Sequence, residues 1–211
     1  MLNIAVLVSG GGTNLQALID AQSDGRIKNG TIALVVSGNA KAYALERAAK
    51  AEIPNKVLSR RSFASQQDYD KALLSLLDRY RIDLIVLAGF LTIISENVVS
   101  RFPNRIMNIH PSLIPSFCGE GYYGLRVHEE ALRRGVKVTG ATVHFVNEVC
   151  DGGPIILQKA VEVLPGDTPQ SLQRRVMEQA EWELLPRAVS LFCENRLEVE
   201  NGCVKIREAK S

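Results

Sequence analysis

The chain has 211 residues, a length that buries roughly 70 % of the unfolded surface and supports a full hydrophobic core. Apolar residues make up 46 % and charged residues 23 %, which excludes disordered, collagen-like and disulfide-dense chains. With 25 basic and 23 acidic side chains the net charge is +2, so nothing global asks for a nucleic acid or an anionic membrane as partner.

Residues 3–8 (NIAVLV) form an apolar, β-rich run that stops at Ser9-Gly10-Gly11-Gly12, after which Leu15, Leu18 and Ile19 recur at helical spacing. The order is strand, glycine turn, helix. The first run lacks the basic region and cleavage site of a secretory signal. Residues 84–94 are too short an apolar stretch to span a bilayer, and a cytoplasmic location is expected. Asn29-Gly30 reads as a turn before a second buried strand over 32–36, followed by Ala42, Leu45, Ala48 and Ala49 on one helical face. Val57 marks a third strand. Tyr69, Leu73, Leu76, Leu77 and Tyr80 then trace one helix face, and residues 84–88 return as a continuous apolar strand. Strands alternating with helices predict a parallel sheet with right-handed crossovers.

From Ile106 the rhythm changes. A short strand over 106–109 runs into residues 110–124, where Pro111, Pro115, Gly119, Gly121 and Gly124 exclude a regular element. A helix over 127–132 follows, then strands over 142–146 and 155–163 joined across 147–154. Thr168-Pro169 starts a helix, with Thr as N-cap and Pro at the first position. That helix carries Leu172, Val176 and Trp182, and Pro186 is expected to kink or restart it. Residues 197–206, with Asn201-Gly202 in the middle, read as a terminal hairpin. The four cysteines, Cys118, Cys150, Cys193 and Cys203, form no C-x-x-C pair. The three histidines show no ligand spacing either, so neither a metal site nor a disulfide framework is expected.

Three places carry chemistry. The turn from Ser9 to Asn14 lies between strand and helix, where backbone N–H groups and the helix dipole hold an anion. It lacks the third glycine of a dinucleotide fingerprint and the lysine of a P-loop, so NAD and ATP are disfavoured. A tight turn needing positive φ is the bland alternative, and three consecutive glycines followed by Thr-Asn favour the anion. Asn108 and His110 sit at the carboxyl end of a strand and alternate onto one face. An amide donor beside a titratable imidazole meets the two needs of acyl transfer, holding an oxyanion and moving a proton. A histidine bonded inside a loop is the bland alternative. Asp151, before Gly152-Gly153-Pro154, is an ordinary turn residue unless the fold brings it beside His110, whose pKa it would then raise. His144 reads equally as a core histidine, and His128, followed by Glu129-Glu130, reads as surface.

Five separated stretches, SGGGTNLQ (9–16), LAGF (87–90), NIHPSLIP (108–115), GVKVTGATVHFV (135–146) and DGGPII (151–156), fall in order at compatible spacings. Together they closely resemble the formyltransferase family that uses 10-formyltetrahydrofolate. The resemblance implies transfer of a formyl group from that co-substrate to the amine of phosphoribosylglycinamide. No metal is involved, and the protein acts as a monomer or homodimer on small molecules, with no nucleic acid or membrane partner. It assigns Asn108, His110 and Asp151 to catalysis, Asp151 keeping His110 cationic and helping to relay the amine proton. Gly12, Thr13 and Asn14 match the segment that binds the ribonucleotide phosphate. Glu181 matches a ribose-binding acid, with one residue more in this helix than the family pattern has. The folate is expected beside Leu91, Thr92, Ile93, Ile94, Asn108, Val146 and Asn147, with Gln66 standing where some members carry an Arg toward the folate tail. Thr92 stands where a basic residue can occur, and the loop after Pro115 is longer than in some members.

The elements and the resemblance together predict an α/β fold: a mostly parallel twisted sheet with a Rossmann-like N-terminal half, helices on both faces and an antiparallel strand in the C-terminal part. Residues 1–211 are expected to form a single formyltransferase domain. About 1–100 would bind the ribonucleotide and about 101–211 the folate and the catalytic groups. The alternatives are a formyltetrahydrofolate hydrolase, which Met1 directly before the first strand disfavours because such proteins carry an N-terminal regulatory domain, and a non-catalytic phosphate-ligand-binding protein. A tRNA-directed member is disfavoured by an end at residue 211 and by the low net charge.

Overall fold

Burial alternates along the first strand. In β1 (Leu2–Val8), Ile4, Val6 and Val8 enter one hydrophobic cluster and Ala5 and Leu7 another, all without exposure. A strand that is apolar on both sides belongs inside a sheet covered on both faces. Accordingly β1 lies between β2 (Gly30–Ser37) and β4 (Leu84–Leu87), parallel to each. With β3 (Asn55–Val57), β5 (Ile106–His110), β6 (Val138–Phe145) and β7 (Ile155–Glu162) they form a seven-stranded sheet of order β3-β2-β1-β4-β5-β6-β7. Only β6 runs against the rest, antiparallel to both β5 and β7. This is the predicted mostly parallel sheet with one antiparallel strand. The computed structural model describes residues 1–208; residues 209–211 of the expected domain lie outside the described residues.

The two faces are covered unequally. α1 (Thr13–Ser23), α2 (Tyr43–Lys50), α5 (Leu125–Arg134), α6 (Pro169–Val176) and α7 (Trp182–Cys193) pack in the cluster that holds Ile4 and Val6. α3 (Gln66–Arg79) and α4 (Glu96–Arg101) cover the other side through Tyr69, Leu73, Leu77 and Val98. Chain order reverses direction in the sheet between β1 and β4, which makes the carboxyl ends of these strands the crevice where open α/β sheets take ligands.

Three local features differ from the sequence expectations. The helix α4 was not anticipated, because six residues with Val98 alone buried give no periodic signal. β6 starts at Val138, four residues early, since Gly140 is a packing requirement and not a breaker: a Cβ there would lie 2.1 Å from the Lys159 carbonyl oxygen of β7. The helix after Thr168 opens with the expected N-cap, completed to a capping box by Ser171. It is interrupted ahead of Pro186, by a π-helical turn over Met177–Glu181. Proline withholds the N–H that the Trp182 carbonyl would accept, which loosens the turn before it. The terminal hairpin forms as expected, β8 (Leu197–Glu200) against β9 (Cys203–Ile206), with Asn201 and Gly202 both at positive φ.

The close approach at Gly140 is testable. Gly140→Ala should lower the unfolding free energy by about 2–3 kcal/mol in a urea melt. A loss under about 0.5 kcal/mol would contradict the tight β6–β7 contact.

Candidate active site

β5 ends in Asn108-Ile109-His110 beside β4. Strand alternation puts the Asn108 and His110 side chains on one face, and antiparallel β6 sets His144 opposite Asn108 and Thr142 opposite His110. The β6–β7 connection then returns Asp151 to the same point. Asp151 has a left-handed backbone, φ 54°, which Asp tolerates better than most residues. Gly152 and Gly153 follow because a Cβ would meet Val149 Cγ1 at 2.6 Å and the Phe145 carbonyl oxygen at 1.9 Å, respectively. Thr142 ties the irregular loop after β5 to the sheet: its hydroxyl donates to Ser112 O at 2.7 Å and accepts from Ile114 N–H at 3.1 Å.

The Asp151 carboxylate joins these groups. Oδ2 accepts the Gly119 N–H at 2.9 Å and lies 3.4 Å from His110 Nδ1. Oδ1 lies 3.3 Å from Asn108 Nδ2 and 3.5 Å from His144 Nε2. With a side chain only 9 % exposed, the carboxyl is pushed up by burial. The hydrogen bond to His144, the charge of His110 and the Gly119 N–H outweigh that and hold it below the usual Asp value. Asp151 is therefore ionised at neutral pH.

Each ring nitrogen of His110 faces an oxygen: Nδ1 faces Asp151, and Nε2 donates to Phe117 O at 2.8 Å. Burial pushes this imidazole down; Asp151 and the Phe117 carbonyl push it up, His144 adds to the fall, and the net lies below the ordinary histidine value. The upward pull expected of Asp151 is present, but burial exceeds it. His144, left open between core and site by its sequence, belongs to the cluster. Its Nδ1 donates to Phe145 O at 2.8 Å, and its Nε2 lies 3.2 Å from Asn108 Nδ2. The cross-strand register with Asn108 is the signal that would have found it. His128, expected at the surface, is instead fully buried on the inner face of α5 with Val127 and Ala131, and among the described residues neither ring nitrogen has a partner. Burial first, then the charge of His110, push it down to about 4. The acidic pair after it disguised a buried position. Tyr122, in the long loop, packs against Phe117 at 6.5 Å between ring centroids, while Tyr123 is exposed. Among the described residues no group of three His, Cys, Asp or Glu side chains is arranged to hold a metal.

A second cluster forms at the start of α1. Gly12 takes φ 70° at the helix cap, no side chain caps the helix, and its first turn holds no acid, so its N–H groups and dipole favour an anion. A Cβ on Gly12 would lie 2.6 Å from Ala44 Cβ, so close packing on α2 also requires this glycine. Thr13 Oγ1 lies 3.8 Å from Met177 Sδ, and Asn14 Nδ2 donates to Glu181 Oε2 at 2.6 Å. The π turn ends on Glu181, whose carboxyl meets Asn14. Glu181 is only 6 % exposed. Burial pushes it up to about 7 against the pull of the Asn14 bond, and Asn14 Oδ1 is buried without a partner. A hydroxyl-bearing ligand satisfies both groups.

The residues expected along the folate are less closely gathered. Leu91 and Ile93, after β4, are 64 % and 78 % exposed, an apolar pair beside the crevice, and Thr92 and Ile94 are half-buried. The Leu91 N–H donates to Ser9 Oγ at 2.9 Å, linking this segment to the glycine turn. Val146 donates its N–H to Ile106 O at 2.8 Å, and exposed Asn147 accepts from the Val149 N–H at 3.0 Å. Gln66 is engaged at both ends, accepting from Arg60 Nε at 2.7 Å and donating to Asp70 Oδ1 at 2.7 Å.

Residues 2–189 match the family described as formyl transferase. The phosphoribosylglycinamide formyltransferase of Escherichia coli (strain K12) is 43 % identical over 201 residues, 95 % of this chain and 92 % of the relative. The crystal structure of glycinamide ribonucleotide transformylase 1 from Symbiobacterium toebii superposes with a TM-score of 0.92 at 45 % identity, covering 99 % of this chain and 95 % of that one. A formyltetrahydrofolate deformylase from Pseudomonas syringae pv. tomato, 24 % identical with a TM-score of 0.87, covers 98 % of this chain and 66 % of its own and shares the fold.

The buried Glu181 carboxyl has a measurable signature. Its raised pKa keeps the proton on the folded chain after the unfolded chain has lost it, so its contribution to stability falls as pH rises from about 4.5 to about 7. Glu181→Gln should match the parent near pH 4 and exceed it by on the order of 2–3 kcal/mol at pH 8 in denaturant melts. A difference that does not grow with pH would contradict a protonated, buried Glu181.

Proposed function

The chain belongs to the formyl transferase family, and from that premise we propose how its residues divide the work of one reaction. It transfers a formyl group from a formyl folate to the amine of phosphoribosylglycinamide, a step of purine biosynthesis. In our reading the donor is 10-formyltetrahydrofolate, the reaction takes place in the cytoplasm and no metal takes part. Residues 1–211 act as one formyltransferase domain, the first hundred or so receiving the ribonucleotide and the remainder the folate and the chemistry.

The observation that carries the assignment of roles is the convergence of Asn108, His110 and Asp151, with Asp151 within 3.4 Å of both partners. When the glycinamide amine attacks the formyl carbon, the carbonyl oxygen becomes an oxyanion, and N–H donors of Asn108 and His110 stabilise it. Each such donor is worth about 10²–10³ in rate in a water-excluded site. A C–N bond forms to the amine, the bond from the formyl carbon to N10 of the folate breaks, and the proton shed by the amine ends on N10. Ionised Asp151 is the acceptor for that proton in transit and stands 3.4 Å from His110 Nδ1. The His110 Nε2–H is directed at the Phe117 carbonyl, a contact it exchanges for the oxyanion in this reading.

At the other end, the N–H groups at Gly12, Thr13 and Asn14 receive the phosphate, and Glu181 with Asn14 receives the ribose hydroxyls. The folate lies along Leu91, Thr92, Ile93 and Ile94, with Asn108, Val146 and Asn147 on the far wall and Gln66 toward its tail.

Purified protein mixed with 10-formyltetrahydrofolate should release tetrahydrofolate only when phosphoribosylglycinamide is present, with His110→Ala lowering kcat by about 10²–10⁴. Release without the amine would identify a hydrolase, and unchanged kcat in His110→Ala would remove it from the catalytic set.

A further inference from the structure

We propose that Arg47, on α2, is a positioning residue for the substrate phosphate: it orients the glycine turn so that backbone N–H groups face the anion. The inference rests on the ribonucleotide reading of the α1 site given above.

Gly10 and Gly11 are the least constrained residues a turn can contain, and nothing lies within 4 Å of the position a Cβ would take on either. Packing therefore does not fix them. What fixes them is α2. The Ala44 N–H donates to Gly10 O at 3.1 Å, and Arg47 Nε donates to Gly11 O at 2.8 Å. Both peptide units are trans, and in a trans unit the C=O and the N–H point in opposite directions. With the carbonyls of Gly10 and Gly11 drawn toward α2, the N–H groups of Gly11 and Gly12 are turned away from it. They then join the uncapped start of α1 as donors for an anion.

Two further observations point to a ligand here. Asn14 Oδ1, in the first turn of α1, is buried without a partner among the described residues, in a residue 8 % exposed. Arg47 itself is half-buried, and among the described residues it takes part in no ion pair. Its remaining contacts are neutral or soft: Nη1 donates to Gln16 Oε1 at 2.9 Å, and the guanidinium lies 5.0 Å from the Tyr43 ring centroid. A cation without a carboxylate, tied to the carbonyl of a glycine turn, keeps its charge available to a bound dianion. Arg suits this work better than Lys because its planar fork reaches the turn and Gln16 at once. Arg47 also lines a cavity of about 250 Å³ with Thr13, Gln16, Asp20, Arg26 and Trp182, which runs along α1 from its first turn.

The test is steady-state kinetics of Arg47→Met with both substrates varied, and inorganic phosphate as inhibitor. The expected result is a rise of about tenfold or more in KM for phosphoribosylglycinamide, and in the inhibition constant of phosphate. KM for the formyl folate should stay within about twofold and kcat within about threefold. KM values that rise together, or a ribonucleotide KM unchanged in the folded variant, would overturn the role of Arg47. If Arg47→Met does not fold, Arg47→Lys keeps the charge but loses the second donor. It should show the same split at about threefold, and equal KM ratios there would overturn the proposal too. A parent protein without amine-dependent turnover would overturn the site reading itself, whereas parent turnover with unsplit KM values overturns only Arg47.

Discussion

A carboxylate removed from water must be met by donors or it gives up its charge. Asp151 is met by four groups from three separate segments: Asn108 and His110 at the end of β5, His144 in β6 and the Gly119 N–H in the irregular loop. No two of these segments can be moved independently without stranding the charge. The reversal of β6 is what puts His144 across from Asn108. The glycines after Asp151 let the connection pass against Phe145 and Val149, and the Thr142 hydroxyl holds the loop that supplies Gly119. The unusual features of the C-terminal half, an antiparallel strand, a left-handed Asp and a long irregular loop, share one electrostatic demand.

The other buried carboxyl, Glu181, is the opposite case. Among the described residues it has a single donor, Asn14, and burial wins, pushing it up to about 7. Two carboxyls in one fold are separated by how many donors the backbone delivers to each. In the proposed reaction Asp151 stays charged to accept a proton, and Glu181 receives the hydroxyls of the ribose. The sheet sets the two clusters at the carboxyl ends of its central strands. The Ser9 hydroxyl, receiving the Leu91 N–H, links the glycine turn to the segment beside the catalytic strand.

Much of this was legible from residue order because it depends on local periodicity. The doubly buried β1, the glycine turn, the α1 face and the Asn108/His110 alternation follow from spacings of two and of three to four residues. The mostly parallel sheet follows from the alternation of strands and helices. What escaped depends on contacts distant in sequence. His144 joined the site only through its register with Asn108, 36 residues away. His128 looked solvated because Glu129 and Glu130 follow it, yet the buried stripe of α5 runs through Val127, His128 and Ala131. The direction of the His110 shift turned on burial, which no spacing reveals. The π turn before Pro186, which ends on Glu181 at Asn14, has no signature in residue order.

The central claim is that one ionised carboxylate, Asp151, organises the cluster at the end of β5 and pulls His110 upward against burial. The most direct measurement is an NMR titration of the His110 ring in the parent and in Asp151→Asn, with ring nitrogens labelled. Burial places the parent below the ordinary histidine value, and loss of the carboxylate removes the largest upward pull. The account therefore predicts that His110 titrates lower still in the variant. A His110 that titrates at the same pH in both, or higher in Asp151→Asn, would contradict it.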